Sequence, residues 1–247
     1  MNSLLRRWHR FRNNCRFRNE ALLKDDYLRR IRSLVIGEGM LPNGNILQMN
    51  HAIQHLPKEG AVVEIGSYGG LSAAVILYLL QKHQCDSNFF TTDPWIYESY
   101  TQEGQQTAFI DGSTRITKAN YHHYMKAAFM NAMQFLQSHQ LPHSFEFTSQ
   151  EFFKLWNSNK SGDDIFGNHS QLGGPIAFAY IDGDHSLEAA THDFEQVDAY
   201  LISGGFILLD DSADYLPFGS ATLMKRLKQD NRYRVVSRMP HYLLQKR

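Results

Sequence analysis

Two segments of this chain begin as apolar runs and end in acids. Tyr180, Ile181, Asp182, Gly183, Asp184 and His185 make one; Leu208, Leu209, Asp210 and Asp211 make the other. If the apolar runs are neighbouring parallel strands, Asp182, Asp210 and Asp211 converge at one edge of a sheet. Three carboxylates there, with waters filling the remaining positions, suit a hard divalent cation. His185 follows Asp182 within one turn, close enough for its imidazole to serve as a base. Plainer readings of the same residues exist. Asp210 and Asp211 can cap the turn after a buried strand by bonding local backbone. His185 can follow its strand with no proton-transfer role, and Asp184 can either orient His185 or stabilise the turn. His192 reads as structural.

Convergence of this kind needs strands that alternate with helices. Ala61–Ile65 reads as a short buried strand, and 71–81 as the helix after it. The pattern repeats with strands at 88–92, 145–148, 176–181, 205–209 and 233–236, and helices at 150–156, 187–201 and 220–229. His241–Leu244 adds a final antiparallel strand. Strands separated by helices imply right-handed crossovers and an α/β, doubly wound, mostly parallel sheet with helices on both faces. Ligands bind such sheets beyond the carboxyl ends of the strands, where these acids fall. Helices at 20–35 and 46–55 precede the pattern, so residues 1–57 read as a helical extension and 58–247 as the main domain.

A second group of residues belongs to the same edge. Glu64, Gly66, Ser67, Tyr68, Gly69 and Gly70 follow the first strand and open a helix. Gly66 permits close ligand approach or an unusual dihedral, and Gly69 and Gly70 let the helix start pass near a ligand. The spacing differs from Gly-x-Gly-x-x-Gly and lacks a phosphate-loop lysine, which argues against a dinucleotide or nucleotide triphosphate. An acid at the strand end suits a cationic ligand instead. Asp93 ends the next strand, where a carboxylate can accept from two ribose hydroxyls.

With Glu-x-Gly-x-x-x-Gly matched by Glu64, Gly66 and Gly70, the chain resembles the class I S-adenosylmethionine-dependent methyltransferases, which have a Rossmann-like fold. The resemblance runs through 63–80, 93–95 and 177–212. It implies that Glu64, Gly66, Ser67 and Gly70 hold the methionine portion of S-adenosylmethionine, that Asp93 binds ribose, and that Ser149 and Gln150 lie on the adenine side. The acid segments resemble those of metal-dependent small-molecule O-methyltransferases, especially bacterial macrolide-sugar and aminocoumarin-sugar enzymes, with a topology similar to catechol O-methyltransferase. That resemblance implies Asp182, Asp210 and Asp211 as ligands of a divalent metal, Mg²⁺ in the first instance, and His185 and Asp182 as catalytic residues. The acceptor is then a hydroxyl of a small polar molecule, a sugar or glycosylated natural product. The alternatives are a metal-independent O- or N-methyltransferase and a non-catalytic nucleoside-cofactor binding module.

Composition narrows the field further. Among 247 residues, 25 Lys and Arg balance 25 Asp and Glu, so there is no global pull toward nucleic acid or anionic membrane. The six arginines between Arg6 and Arg18 form a basic amino-terminal stretch, read as a helix over 3–17 with a solvated face. Cys15 and Cys85 lack the spacing of a disulfide scaffold or zinc motif. No apolar run is long enough to span a bilayer, and the basic start lacks the apolar region of a signal peptide, so the expected location is cytoplasmic. Homo-oligomers are compatible with all of this. Residues 95–141 hold Trp95, Tyr97, Tyr100, Tyr121, His122, His123 and Tyr124 after a strand end, as either a lid over the substrate or a cover for the helices they flank. Residues 157–173 read as a surface loop.

Overall fold

A computed structural model describes residues 20–37, 40–96, 106–107, 115–116, 118–136 and 140–247. The basic helix expected over 3–17, and with it Arg6 to Arg18, lies outside the described residues, as do Tyr97 and Tyr100.

The sheet has seven strands: β1 (Ala61–Ile65), β2 (Phe89–Thr92), β3 (His143–Phe145), β4 (Ile176–Ile181), β5 (Leu201–Leu209), β6 (Tyr233–Arg238) and β7 (Tyr242–Lys246). Their order is β6-β7-β5-β4-β1-β2-β3. β3, β2, β1, β4 and β5 run parallel, and β7 is antiparallel to both of its neighbours. The order reverses between β1 and β4, which opens the ligand crevice of a doubly wound sheet at their carboxyl ends.

Strand residues alternate between two cores, as the two-residue period of a strand requires. Val62, Phe178, Phe206, Leu208 and Leu243 face one core. Val63, Ala179, Ile207, Leu209 and Leu244 face the other. The first core is completed by α1 (Asp26–Leu34), α2 (Asn43–Gln54), α3 (Leu71–Lys82) and α4 (Lys118–Leu136). The second is completed by α5 (Ser149–Asn157), α6 (Leu187–Tyr200) and α7 (Gly219–Leu227). The amino-terminal helices therefore share a core with the sheet: Leu28 and Ile31 of α1 and Ile46 and Met49 of α2 are buried in it.

Three local departures from the expected elements have clear causes. The helix expected over 20–35 is split at Asp25, whose side chain accepts from the Tyr27 and Leu28 amides and caps α1. β3 ends at Phe145, where a strand was expected to begin, because Thr148 and Glu151 form a capping box that starts α5. The expected loop at 157–173 carries a small hairpin, Ser161–Asp163 with His169–Gln171.

Candidate active site

The strand ends are tied together in a row. The Asp93 amide donates to Phe145 O at 3.1 Å, Gly66 to Thr92 O at 2.9 Å, Asp182 to Ile65 O at 2.8 Å and Asp210 to Ile181 O at 2.9 Å. Each bond runs from the first residue past one strand to the last residue of its neighbour. The glycine loop, Asp93 and the two acid segments are thereby fixed side by side, as the sequence implied. Register adds a second constraint: Glu64, Tyr180 and Leu208 are partners across β1, β4 and β5. Asp182 and Asp210 continue the same alternation one step beyond, on the α1–α4 face.

The glycine loop packs tightly at the crevice. Gly66 has φ +85°, and a Cβ on it would lie 2.1 Å from Asp182 O. Gly70 has φ +92°, and its Cβ would meet Phe129 and Met133 of α4 at 3.0 Å. Glu64 is fully buried, and among the described residues neither carboxylate oxygen meets a donor at hydrogen-bond geometry. Burial pushes its pKa up to about 8, with the nearby Ser72 and Ser67 hydroxyls opposing the rise. The Ser67 hydroxyl is likewise buried without a partner among the described residues. An unpaired carboxylate and hydroxyl beside a strained glycine loop make a fitting receptor for an ammonium-bearing ligand.

Asp93 is turned onto this loop. Its Oδ2 accepts from the Ser67 and Tyr68 amides, each at 2.8 Å, and its Oδ1 from the Trp95 amide at 2.6 Å. Burial raises its pKa in spite of these donors. Trp95 closes the corner, donating Nε1 to Tyr68 O at 2.9 Å and packing on Phe129. Of the aromatic residues in the 95–141 insertion, Trp95 and Tyr121 are buried in the core, whereas Tyr124 is exposed. Ser149 lies half-buried at the start of α5, near the Asp193 carboxylate of α6, while Gln150 is exposed. Both sit past the carboxyl end of β3, one strand farther along the edge than Asp93.

The acid segments meet on the other side of Gly66. The Tyr180 hydroxyl lies 2.8 Å from Asp210 Oδ2 and 3.0 Å from Asp182 Oδ2. Burial, then the charge of Asp210, holds the Asp182 carboxyl well above the usual range. Burial and the same neighbour raise Asp211, and burial between the two acids raises the Tyr180 phenol. Two groups of ligand atoms lie within 4.8 Å of one another: Asp182 with His185 and Asp211, and Asp210 with Asp211 and His241. The three expected acids are thus divided between two groups that meet at Asp211, and two histidines complete them. Like charges crowded out of water are what a divalent cation relieves, so the donor set fits one.

His185 is half-buried, with Nε2 3.2 Å from Asp211 Oδ2 and its ring against Phe218. Asp184 accepts from the Ser186 amide at 2.7 Å and from its hydroxyl, so it secures the turn into α6. Three of the positive-φ residues other than glycine, Tyr68, Trp95 and Asp211, stand on the loops that build this site. Backbone strain of that kind gathers where geometry is held for function. Tyr180, Asn45 and His241 were not anticipated as site residues. Tyr180 carried only the signal of an apolar strand, and the other two carried none.

Known proteins share the fold and the methyltransferase domain. Residues 63–212 match the family model for a methyltransferase domain. No curated protein sequence matches the chain. Among solved structures, the apo form of CalS11, a TDP-rhamnose 3'-O-methyltransferase of calicheamicin biosynthesis, is similar at TM-score 0.52 and 17% identity, covering 81% of this chain and 78% of that one. The O-methyltransferase TomG from Streptomyces achromogenes, in complex with SAM, is similar at TM-score 0.51 and 11% identity, covering 90% of each chain. The SAH-bound methyltransferase PaMTH1 of Podospora anserina is similar at TM-score 0.53 and 14% identity, covering 90% of this chain and 88% of that one. Among the described residues no helix is long and apolar enough to cross a membrane. The family match spans more than half of the chain and contains both the glycine loop and the acid segments, so this chain belongs to the methyltransferase domain family, with the class I fold its sequence implied.

Proposed function

We propose that this chain transfers a methyl group from S-adenosylmethionine to a hydroxyl of a small polar molecule, using a divalent cation held by Asp182, Asp210 and Asp211. The observation that supports this most is the row of tied strand ends, which sets a receptor for a cationic cofactor beside a crowded cluster of acids, Asp210 buried and Asp182 and Asp211 half-buried. When bound, the cofactor supplies an electrophilic methyl group and the cation lowers the pKa of the acceptor hydroxyl.

The chain's own residues do the rest. Glu64 and Ser67 receive the ammonium end of the cofactor, Gly66 and Gly70 let the loop fold closely against Asp182 and α4, and Asp93 holds the loop while offering Oδ1 toward ribose. Ser149 and Gln150 flank the adenine. Phe129 and Met133 of α4 roof the glycine loop and exclude water from it. His185, half-buried at the rim, takes the acceptor proton on its imidazole, and Asp211 beside Nε2 stabilises the imidazolium. A sugar or glycosylated natural product suits this reading, because vicinal hydroxyls can share one hard cation. The test is Asp182→Ala. With S-adenosylhomocysteine binding intact, metal-stimulated turnover should vanish, whereas turnover that survives both this change and chelation would remove the cation from the mechanism.

A further inference from the structure

We propose that Asn45 and His241 are positioning residues for the cation clamp. They grip Asp210 from two elements outside its own strand, which makes the amino-terminal helix α2 a working part of the site. This rests on the reading of Asp210 as a cation ligand.

Asn45 is fully buried on α2 and donates Nδ2 to Asp210 Oδ1 at 2.9 Å. His241, buried at the entry to β7, places Nε2 3.2 Å from the same oxygen. Both grips thus act on Oδ1, while Oδ2 faces Tyr180 and, across it, Asp182. A carboxylate oxygen bonded by the Asn45 amide and packed against the His241 imidazole is held from rotating, so the other oxygen is presented in a fixed direction.

The two grips are also tied to each other. Gln48, one turn along α2 from Asn45 and fully buried, donates Nε2 to Ser237 Oγ at 2.8 Å and to His241 O at 3.1 Å. Residues three apart share a helix face, so α2 presents a two-residue polar stripe to the β6–β7 turn and to Asp210. That stripe is costly. Asn45 Oδ1, Gln48 Oε1 and His241 Nδ1 are buried without partners among the described residues. Each such group carries an unrecovered desolvation cost, which a helix serving only to pack would avoid by carrying leucine there. The polar face is therefore explained by what its paired atoms hold.

The experiment measures Mn²⁺ binding to the full chain saturated with S-adenosylhomocysteine, by the electron paramagnetic resonance of free Mn²⁺. Asn45→Leu and His241→Leu remove the donors, and His241→Gln keeps an N–H donor. Loss of a group that orients a metal ligand typically weakens the metal by about 10- to 100-fold. Both leucine variants should show a loss of that size, and His241→Gln, which keeps an N–H donor but no imidazole to bind a cation, should recover most of it. A loss that glutamine does not recover would make His241 a ligand and overturn its positioning role. S-adenosylhomocysteine affinity without metal should be unchanged, a result that general unfolding could not give. Folded leucine variants that bind Mn²⁺ as the parent does would overturn the proposal. Failure of the parent chain to bind Mn²⁺ while binding S-adenosylhomocysteine would instead overturn the cation reading, and this proposal with it.

Discussion

The backbone oxygen of Asp182 occupies the space where a side chain on Gly66 would begin. A Cβ there would lie 2.1 Å from that oxygen, and φ +85° already disfavours any side chain. The end of the strand that carries the first acid thus sets the shape of the glycine loop. Gly66→Ala must displace one or the other. Loss of S-adenosylhomocysteine binding and of about 1–3 kcal/mol of stability is expected, the scale of strain at one residue. Calorimetry and denaturant unfolding check both, and an alanine variant with parental affinity would contradict the packing described.

Glu64 gives a pH dependence with a definite sign. Its pKa stands at about 8 in the free chain, so at neutral pH it is mostly protonated. An ammonium-bearing ligand favours the carboxylate, so binding releases a proton and affinity rises with pH until about 8, then levels. Titrations in two buffers of unlike ionisation enthalpy measure the release directly. Glu64→Gln should abolish it and weaken S-adenosylhomocysteine by about 10- to 100-fold, the worth of one charge-assisted bond. Equal proton release in the variant would assign the effect to another group.

His185 stands in one of the two donor groups and is also the expected base. The roles separate by measurement. His185→Gln should lower kcat by about 100-fold or more, as loss of a general base does, with Mn²⁺ affinity retained. A variant that loses Mn²⁺ instead would make His185 a ligand.

Asp193 bears on stability. It is buried on α6 against Gly183, and burial raises its pKa to about 6. A raised folded pKa means that the folded chain holds the proton more tightly than the unfolded one, so stability falls as pH climbs from about 4 to about 6 and stays lower above that. Asp193→Asn should therefore stabilise the chain by about 1–3 kcal/mol near neutral pH and by little near pH 4. Denaturant midpoints at the two pH values check this. A variant less stable at neutral pH would show that the ionised carboxylate has a partner in the fold.

How much of this was legible in the sequence follows from the range of the interactions. The strand-then-acid segments, the glycine loop and Asp93 are local patterns, and a parallel sheet brings local strand ends to one edge, so the site's outline was readable. The antiparallel β7 was also foreseen. The Asp25 break and the Thr148 capping box displaced element ends because side-chain caps compete with apolar periodicity. Asn45 reaches Asp210 across 165 positions, and no spacing rule spans such a distance. His241 read as an ordinary strand residue, and Tyr180 as one more apolar position in its strand. Their roles depend on which face of the sheet α2 covers, which is settled by packing.

The central claim is that the glycine loop and Asp93 form a site for S-adenosylmethionine beside a cation clamp. The most direct measurement is calorimetric titration of S-adenosylhomocysteine into the metal-stripped full chain, repeated with Mg²⁺. Saturable binding of one cofactor per chain is predicted in both, with a separate Mg²⁺ binding event in the parent that Asp182→Ala eliminates. Absence of S-adenosylhomocysteine binding, together with binding of a nicotinamide dinucleotide, would contradict the account.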